Sequence, residues 1–314
     1  MEEEDSKNLI SPPPAWVELP PEITSTILQK LGTIEILRSA DKVCSTWRRL
    51  CQEPDMWRVI KMKNDGADVW DREEEDDLEK MCCRAVDRSQ GGLVDISLEY
   101  FGSDNFLTYI AQSSAQLKRL RLVCSYNVSG EGLSAAVKTF PLLEELHLYY
   151  ISITKEAIET IGRSCRALKS FKLNNQICRH PYVEYDEEAI AIAENMPELH
   201  HLQLFGNKMT NEGLEAILNG CPHLESLDLR RCFNVHLGGD VGKRCSQQIK
   251  YLKYPQDPTE DYGLDTEMYD LESFDEDYPS GFSDIDLISD DDDYYEFSDA
   301  TNYSDDDEEM FFEY

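Results

Sequence analysis

Apolar residues follow two different rhythms along this chain. Between residues 16 and 57 they recur at helical spacing. Ile23, Ile27, Leu28 and Leu31 fall at i, i+4, i+5 and i+8, which places them on one wide helix face. Gly32 follows, and glycine closes a helix because it takes positive φ without a Cβ clash. A short second helix is predicted over 34–40 and a third over 41–50, where Val43, Trp47 and Leu50 share a face. Pro54 stops the third, and Met56-Trp57 is a last apolar anchor. Three short helices this rich in Ile, Leu and Trp cannot cover all of it, so an exposed apolar patch for a partner is expected.

From residue 93 the rhythm changes to a repeat. LxxLxL recurs as Leu93-Ile96-Leu98, Leu117-Leu120-Leu122, Leu143-Leu146-Leu148, Leu168-Phe171-Leu173, Leu199-Leu202-Leu204 and Leu224-Leu227-Leu229. Ile249-Tyr251-Leu252 reads as a degenerate last copy, and the successive spacings are 24, 26, 25, 31, 25 and 25 residues. That is a leucine-rich-repeat period. One strand and one helix cannot bury such leucines alone, so each unit needs its neighbours. The predicted architecture is α/β: a three-helix front, then a short right-handed solenoid with a parallel concave sheet and outer helices. A stripe of Leu78, Met81, Cys82, Ala85 and Val86 predicts a helix leading into it. The expected divisions are a disordered leader 1–14, the helical front 15–60, a helical connector 61–92, about six repeats over 93–254, and a disordered acidic tail 255–314.

Side chains alternate along a strand, so the positions between the leucines face the concave side. They include Arg119, Arg121, His147, Tyr149, Lys172, Asn174, His201, Phe205 and Arg230. Charges mixed with aromatic rings suit a protein-binding surface. The 31-residue unit carries extra residues over 174–188, among them Tyr182 and Tyr185, and such an insertion maps to a loop on one face. All eleven are candidate contacts for a bound protein.

The front resembles an F-box. The residues that carry the likeness are Leu19-Pro20, Glu22-Ile23, Ile27-Leu28, Leu31, Glu35-Ile36-Leu37, Val43-Cys44, Trp47-Arg48, Pro54 and Trp57. Glu35 stands where that family more often has Asp. With the Cys-containing repeats behind it, the whole is similar to plant F-box/LRR-repeat proteins. The resemblance implies docking onto a Skp-type adaptor and, through it, a cullin-based ubiquitin ligase. Leu19, Pro20, Ile23, Ile27, Leu28, Leu31, Val43 and Trp47 are the adaptor contacts it implies. The function implied is substrate recognition for an SCF-type ligase, with the substrate protein unknown and the chain in the nucleus or cytoplasm. Some LRR proteins with acidic tails instead chaperone histones or other basic proteins, and residues 93–314 share that layout.

Charge sharpens the division of the chain. Of 63 acids, 24 lie in residues 255–314, which hold no Lys or Arg; the rest carries 39 acids against 30 bases. Repulsion is expected to keep the tail extended. No basic footprint for nucleic acid stands out. No apolar run reaches the roughly 18 residues that a membrane span needs, and residues 1–14 lack the pattern of a secretory signal. Ten cysteines without CxxC pairs predict small buried hydrophobes rather than a zinc site or a disulfide frame. P-loop, GxSxG and HExxH motifs are absent, so neither catalysis nor a cofactor is expected.

Overall fold

The computed structural model describes residues 19–65, 72–174, 183–262 and 264, with 72–76 as backbone alone. The predicted leader, Tyr182 and the tail from 265 onward lie outside them. The front opens with α1 (Pro21–Gln29), α2 (Thr33–Arg38) and α3 (Ser45–Leu50). The expected third helix is split: a 3-10 turn holds Ala40–Lys42, and α3 starts only at Ser45. Cys44 is the reason, because its backbone is extended and its sulfur accepts from the Trp47 N–H at 3.5 Å. A second 3-10 turn, Pro54–Trp57, buries Met56 and Trp57, whose indole donates to the Cys51 carbonyl at 2.9 Å.

Eight parallel strands then stack in chain order. They are β1 (Val59–Lys63), β2 (Asp95–Glu99), β3 (Arg119–Val123), β4 (Glu145–Tyr149), β5 (Ser170–Asn174), β6 (His201–Gln203), β7 (Ser226–Asp228) and β8 (Tyr251–Lys253). The helices between them are α4 (Arg72–Arg88), α5 (Asp104–Ser113), α6 (Gly130–Val137), α7 (Lys155–Ser164), α8 (Glu187–Asn195), α9 (Asn211–Gly220) and α10 (Gly239–Gln248). The sheet begins earlier than the repeat pattern implied. β1 pairs with β2 along its whole length, Ile60 beside Ile96 and Met62 beside Leu98. Ile60 and Met62 do the work of the leucines, and both are buried. The front and the solenoid therefore share one sheet.

Inward positions line up across the sheet: Ile60, Ile96, Leu120, Leu146, Phe171, Leu202, Leu227 and Leu252. Most are wholly buried, and at about 25 cal/mol per Å² of apolar surface their burial stabilises the stack. Cys165, Cys221 and Cys232 fill slots between units, and burial pushes their thiols up to about 12. The backbone turns sharply after β2, β3, β4, β6 and β7. Tyr100, Cys124, Tyr150, Gly206 and Arg231 all take φ between 50 and 70° at equivalent positions, a conformation that only Gly adopts freely.

Helix starts are stapled from one unit to the next. Asp104 accepts from the Ser129 N–H at 2.8 Å and its hydroxyl at 2.6 Å. Asp186 does the same for Thr210, at 2.8 Å twice. Ser129 and Thr210 are themselves N-caps, of α6 and α9.

Candidate functional site

Two surfaces stand out. The first is the outer side of α1. Ile23 and Ile27 are 50% and 43% exposed, and Leu19 and Leu31 extend the same four-residue stripe beyond either end of the helix. Val43 adds a fifth exposed apolar side chain. Pro20 caps α1 and is exposed; its carbonyl accepts from the Thr24 N–H at 3.0 Å and the Thr24 hydroxyl at 3.1 Å. Trp47 is half-buried against the core. Leu28 departs from the expectation. One residue on from Ile27 turns it about 100° round the helix, and it is wholly buried in the chain's own core. It supports the stripe from beneath and presents nothing to a partner.

The second surface is the curved sheet face, which divides into two parts. Over β1 to β4 lies an open cleft of about 440 Å³, lined by Lys61, Ser97, Arg119, Arg121, Glu145 and His147 among others. Arg119 pairs with Asp95 at 2.9 Å, and Arg121 pairs with Glu99. The Arg121 guanidinium also lies 5.0 Å from the centre of the Tyr149 ring. Burial first, then the Lys172 and Arg121 charges, pushes the His147 imidazole down to about 3. It stays neutral at physiological pH and lies 3.1 Å from the Ser170 hydroxyl. Lys172 is half-buried; Arg119, His201 and Tyr185 are exposed.

The other part, along the C-terminal ends of the strands from β4 to β7, is covered. Tyr149, Asn174, Phe205 and Arg230, expected as contact residues, are all buried. Alternation correctly gives the side they point to, but they sit at the last concave position of each unit, where the chain turns. The Asn174 side-chain oxygen accepts from the Phe205 N–H at 3.1 Å, so it ties one unit to the next. Phe205 and Tyr149 are covered by a segment expected to be extended tail. Tyr262 stacks on Phe205 with ring centres 3.9 Å apart and lies 6.1 Å from Tyr149. Arg230 is forked onto Asp228 at 2.7 to 3.2 Å and donates to the Pro258 carbonyl at 2.9 Å and to Asp261. Nothing in the sequence of 255–262 sets it apart from the acidic run that follows.

Among the described residues no group of His, Cys, Asp and Glu is arranged to hold a metal, and no helix is long and apolar enough to cross a membrane.

Comparison with known proteins identifies the two regions that carry these surfaces. The F-box-like family model matches residues 16–63, and a leucine-rich-repeat model matches residues 196–218. F-box protein SKIP19 of Arabidopsis thaliana is 49% identical over 293 residues, covering 92% of each chain. The chain belongs to the plant F-box/LRR-repeat family. Two further Arabidopsis members of the F-box/LRR-repeat family are similar. Putative F-box/LRR-repeat protein 23 is 50% identical over 77% of this chain and 54% of its own length. Putative F-box/LRR-repeat protein 9 is 47% identical over 73% of this chain and 92% of its own. The F-box match ends at Lys63, the last residue of β1, so the F-box supplies the first strand of the repeat sheet.

Proposed function

We propose that this chain is the substrate-recognition subunit of an SCF-type ubiquitin ligase. The α1 stripe docks on a Skp-type adaptor, which links it to a cullin, and the curved sheet holds a protein substrate. The chain performs no catalysis itself. It supplies proximity, turning a bimolecular encounter between substrate and ligase into a tethered one. One observation carries the reading: five large apolar side chains stay exposed between residues 19 and 43, whereas most of the other leucines and isoleucines among the described residues are buried. Covering an exposed isoleucine on docking contributes on the order of 1.5–3 kcal/mol, so a stripe of this kind suits a stable partner.

The test is co-purification with a recombinant Skp-type adaptor. Ile23→Asp with Ile27→Asp is expected to abolish capture while leaving the melting temperature unchanged, because neither side chain is in the core. Undiminished capture overturns the reading. A second reading rests on the 24 acids and absent bases of residues 255–314: a binding protein for basic partners such as histones. Histone capture that disappears on removing 265–314, in a chain that also fails to bind the adaptor, would favour it.

A further inference from the structure

The covered part of the curved face is a built site with an occupant. Its floor is the Phe205 ring, its wall Tyr149, and its charged end Arg230 and Lys253. Arg230 is 3% exposed, yet its guanidinium reaches the Pro258 carbonyl and the Asp261 carboxylate. Lys253, half-exposed on β8, holds the other Asp261 oxygen at 2.5 Å. These hydrogen bonds, Lys253 first and then Arg230, bring the Asp261 carboxyl down to about 2. Tyr262 then lies flat on Phe205, 14° from parallel, with the Arg230 guanidinium 6.0 Å from its ring centre. A carboxylate gripped by two cations beside a stacked phenol is recognition of a sequence, Asp then Tyr.

That sequence is not unique in the chain. Glu260-Asp261-Tyr262 recurs as Glu276-Asp277-Tyr278 and as Asp292-Asp293-Tyr294, each copy sixteen residues after the last. A C-terminal cover for the solenoid needs one copy, and the chain carries three.

We propose that Tyr149, Phe205, Arg230 and Lys253 form a docking site for an acid–Asp–Tyr segment of a partner protein, held in this structure by the chain's own first copy. The cis copy follows β8 by nine residues, so its local concentration is high, on the order of millimolar. A partner segment binds only by displacing it, and its apparent affinity falls by the fraction of time the site is closed. Asp261 is exposed and Tyr262 half-exposed, so the cis copy can be exchanged without opening the core. The proposal rests on the substrate half of the proposed function and names the chemistry it recognises. It does not depend on the α1 stripe.

The experiment uses the full chain and a fluorescent peptide of residues 272–283, which contains the second copy. Anisotropy titrations compare the wild type with a variant in which all three cis copies are silenced: Tyr262→Ala, Tyr278→Ala and Tyr294→Ala. The silenced chain is expected to bind the peptide about tenfold tighter or more. Adding Lys253→Glu should return binding to the weak level, and a peptide with Tyr278→Ala should not bind. Lys253 lies outside the core, so this variant keeps its fold, checked by circular dichroism. Equal binding by wild type and silenced chain, or binding indifferent to Lys253→Glu, overturns the proposal. No adaptor is present in this assay and no peptide in the adaptor capture, so the two readings fail separately.

Discussion

Helix α1 and strand β4 both carry large aliphatic residues and treat them in opposite ways. Leu146 and Leu148 of β4 are wholly buried, because β3 stands on one side and β5 on the other. On α1 only Thr24 and Leu28 turn inward, while Ile23 and Ile27 stay in water. The residue types are the same, so the difference is one of neighbours. In a solenoid each unit is covered by the next, whereas among the described residues none covers the outer side of α1. A leucine within the stack therefore reports stability and, under the proposed function, an isoleucine on the outer stripe reports affinity.

Single substitutions can break this contrast. The largest expected effect is at Leu146. Leu146→Ala should lower stability by about 2–5 kcal/mol in urea unfolding followed by circular dichroism. The matching change Ile27→Ala should move it by less than about 0.5 kcal/mol. Similar losses at both sites would erase the distinction between a packed stack and a bare stripe. Next comes Gly220, at the end of α9, where an added Cβ would overlap the Ala193 carbonyl oxygen of α8. Gly220→Ala should cost about 1–3 kcal/mol, since two helix backbones would have to move apart. No loss would mean that the outer helices pack less closely than the strands beneath them.

The smallest effect sharpens the contrast through pH. His147 is held neutral down to about pH 3 in the folded chain, while an unfolded histidine takes its proton near 6.5. Between those values the unfolded state binds more protons, so stability falls as pH drops through 6.5. By pH 5 the loss should reach about 2 kcal/mol. His147→Gln should flatten this part of the profile. An unchanged slope in the variant would place the titration elsewhere.

Much of this was visible in the residues. The LxxLxL period locates β2 to β8, because a column of leucines at one height must be shared between neighbours. The i, i+4, i+8 stripe locates the exposed side of α1. What the period could not show has physical reasons. β1 builds its inward side from Ile60 and Met62 without the leading leucine, so the motif begins one strand late. Leu28 sits one position off the stripe, and a helical repeat of 3.6 residues turns that one step into burial. Alternation gave the direction of Tyr149, Phe205 and Arg230 but not what lies over them. Their cover is a pairing between Asp261-Tyr262 and cations contributed by β8 and the turn after β7. No local pattern in 255–262 encodes that pairing.

β1 is at once the last segment of the F-box match and the first rung of the ladder. A bead-on-string arrangement, with a slack tether between the F-box and the first repeat, is thereby ruled out for this chain. Under the proposed function, whatever clasps the outer side of α1 also dictates where the sheet face points, as the stem of a hook dictates the aim of its bend. Under the proposed function, the reach from clasp to cargo is a fixed length written into the ladder that joins Val59–Lys63 to Asp95–Glu99.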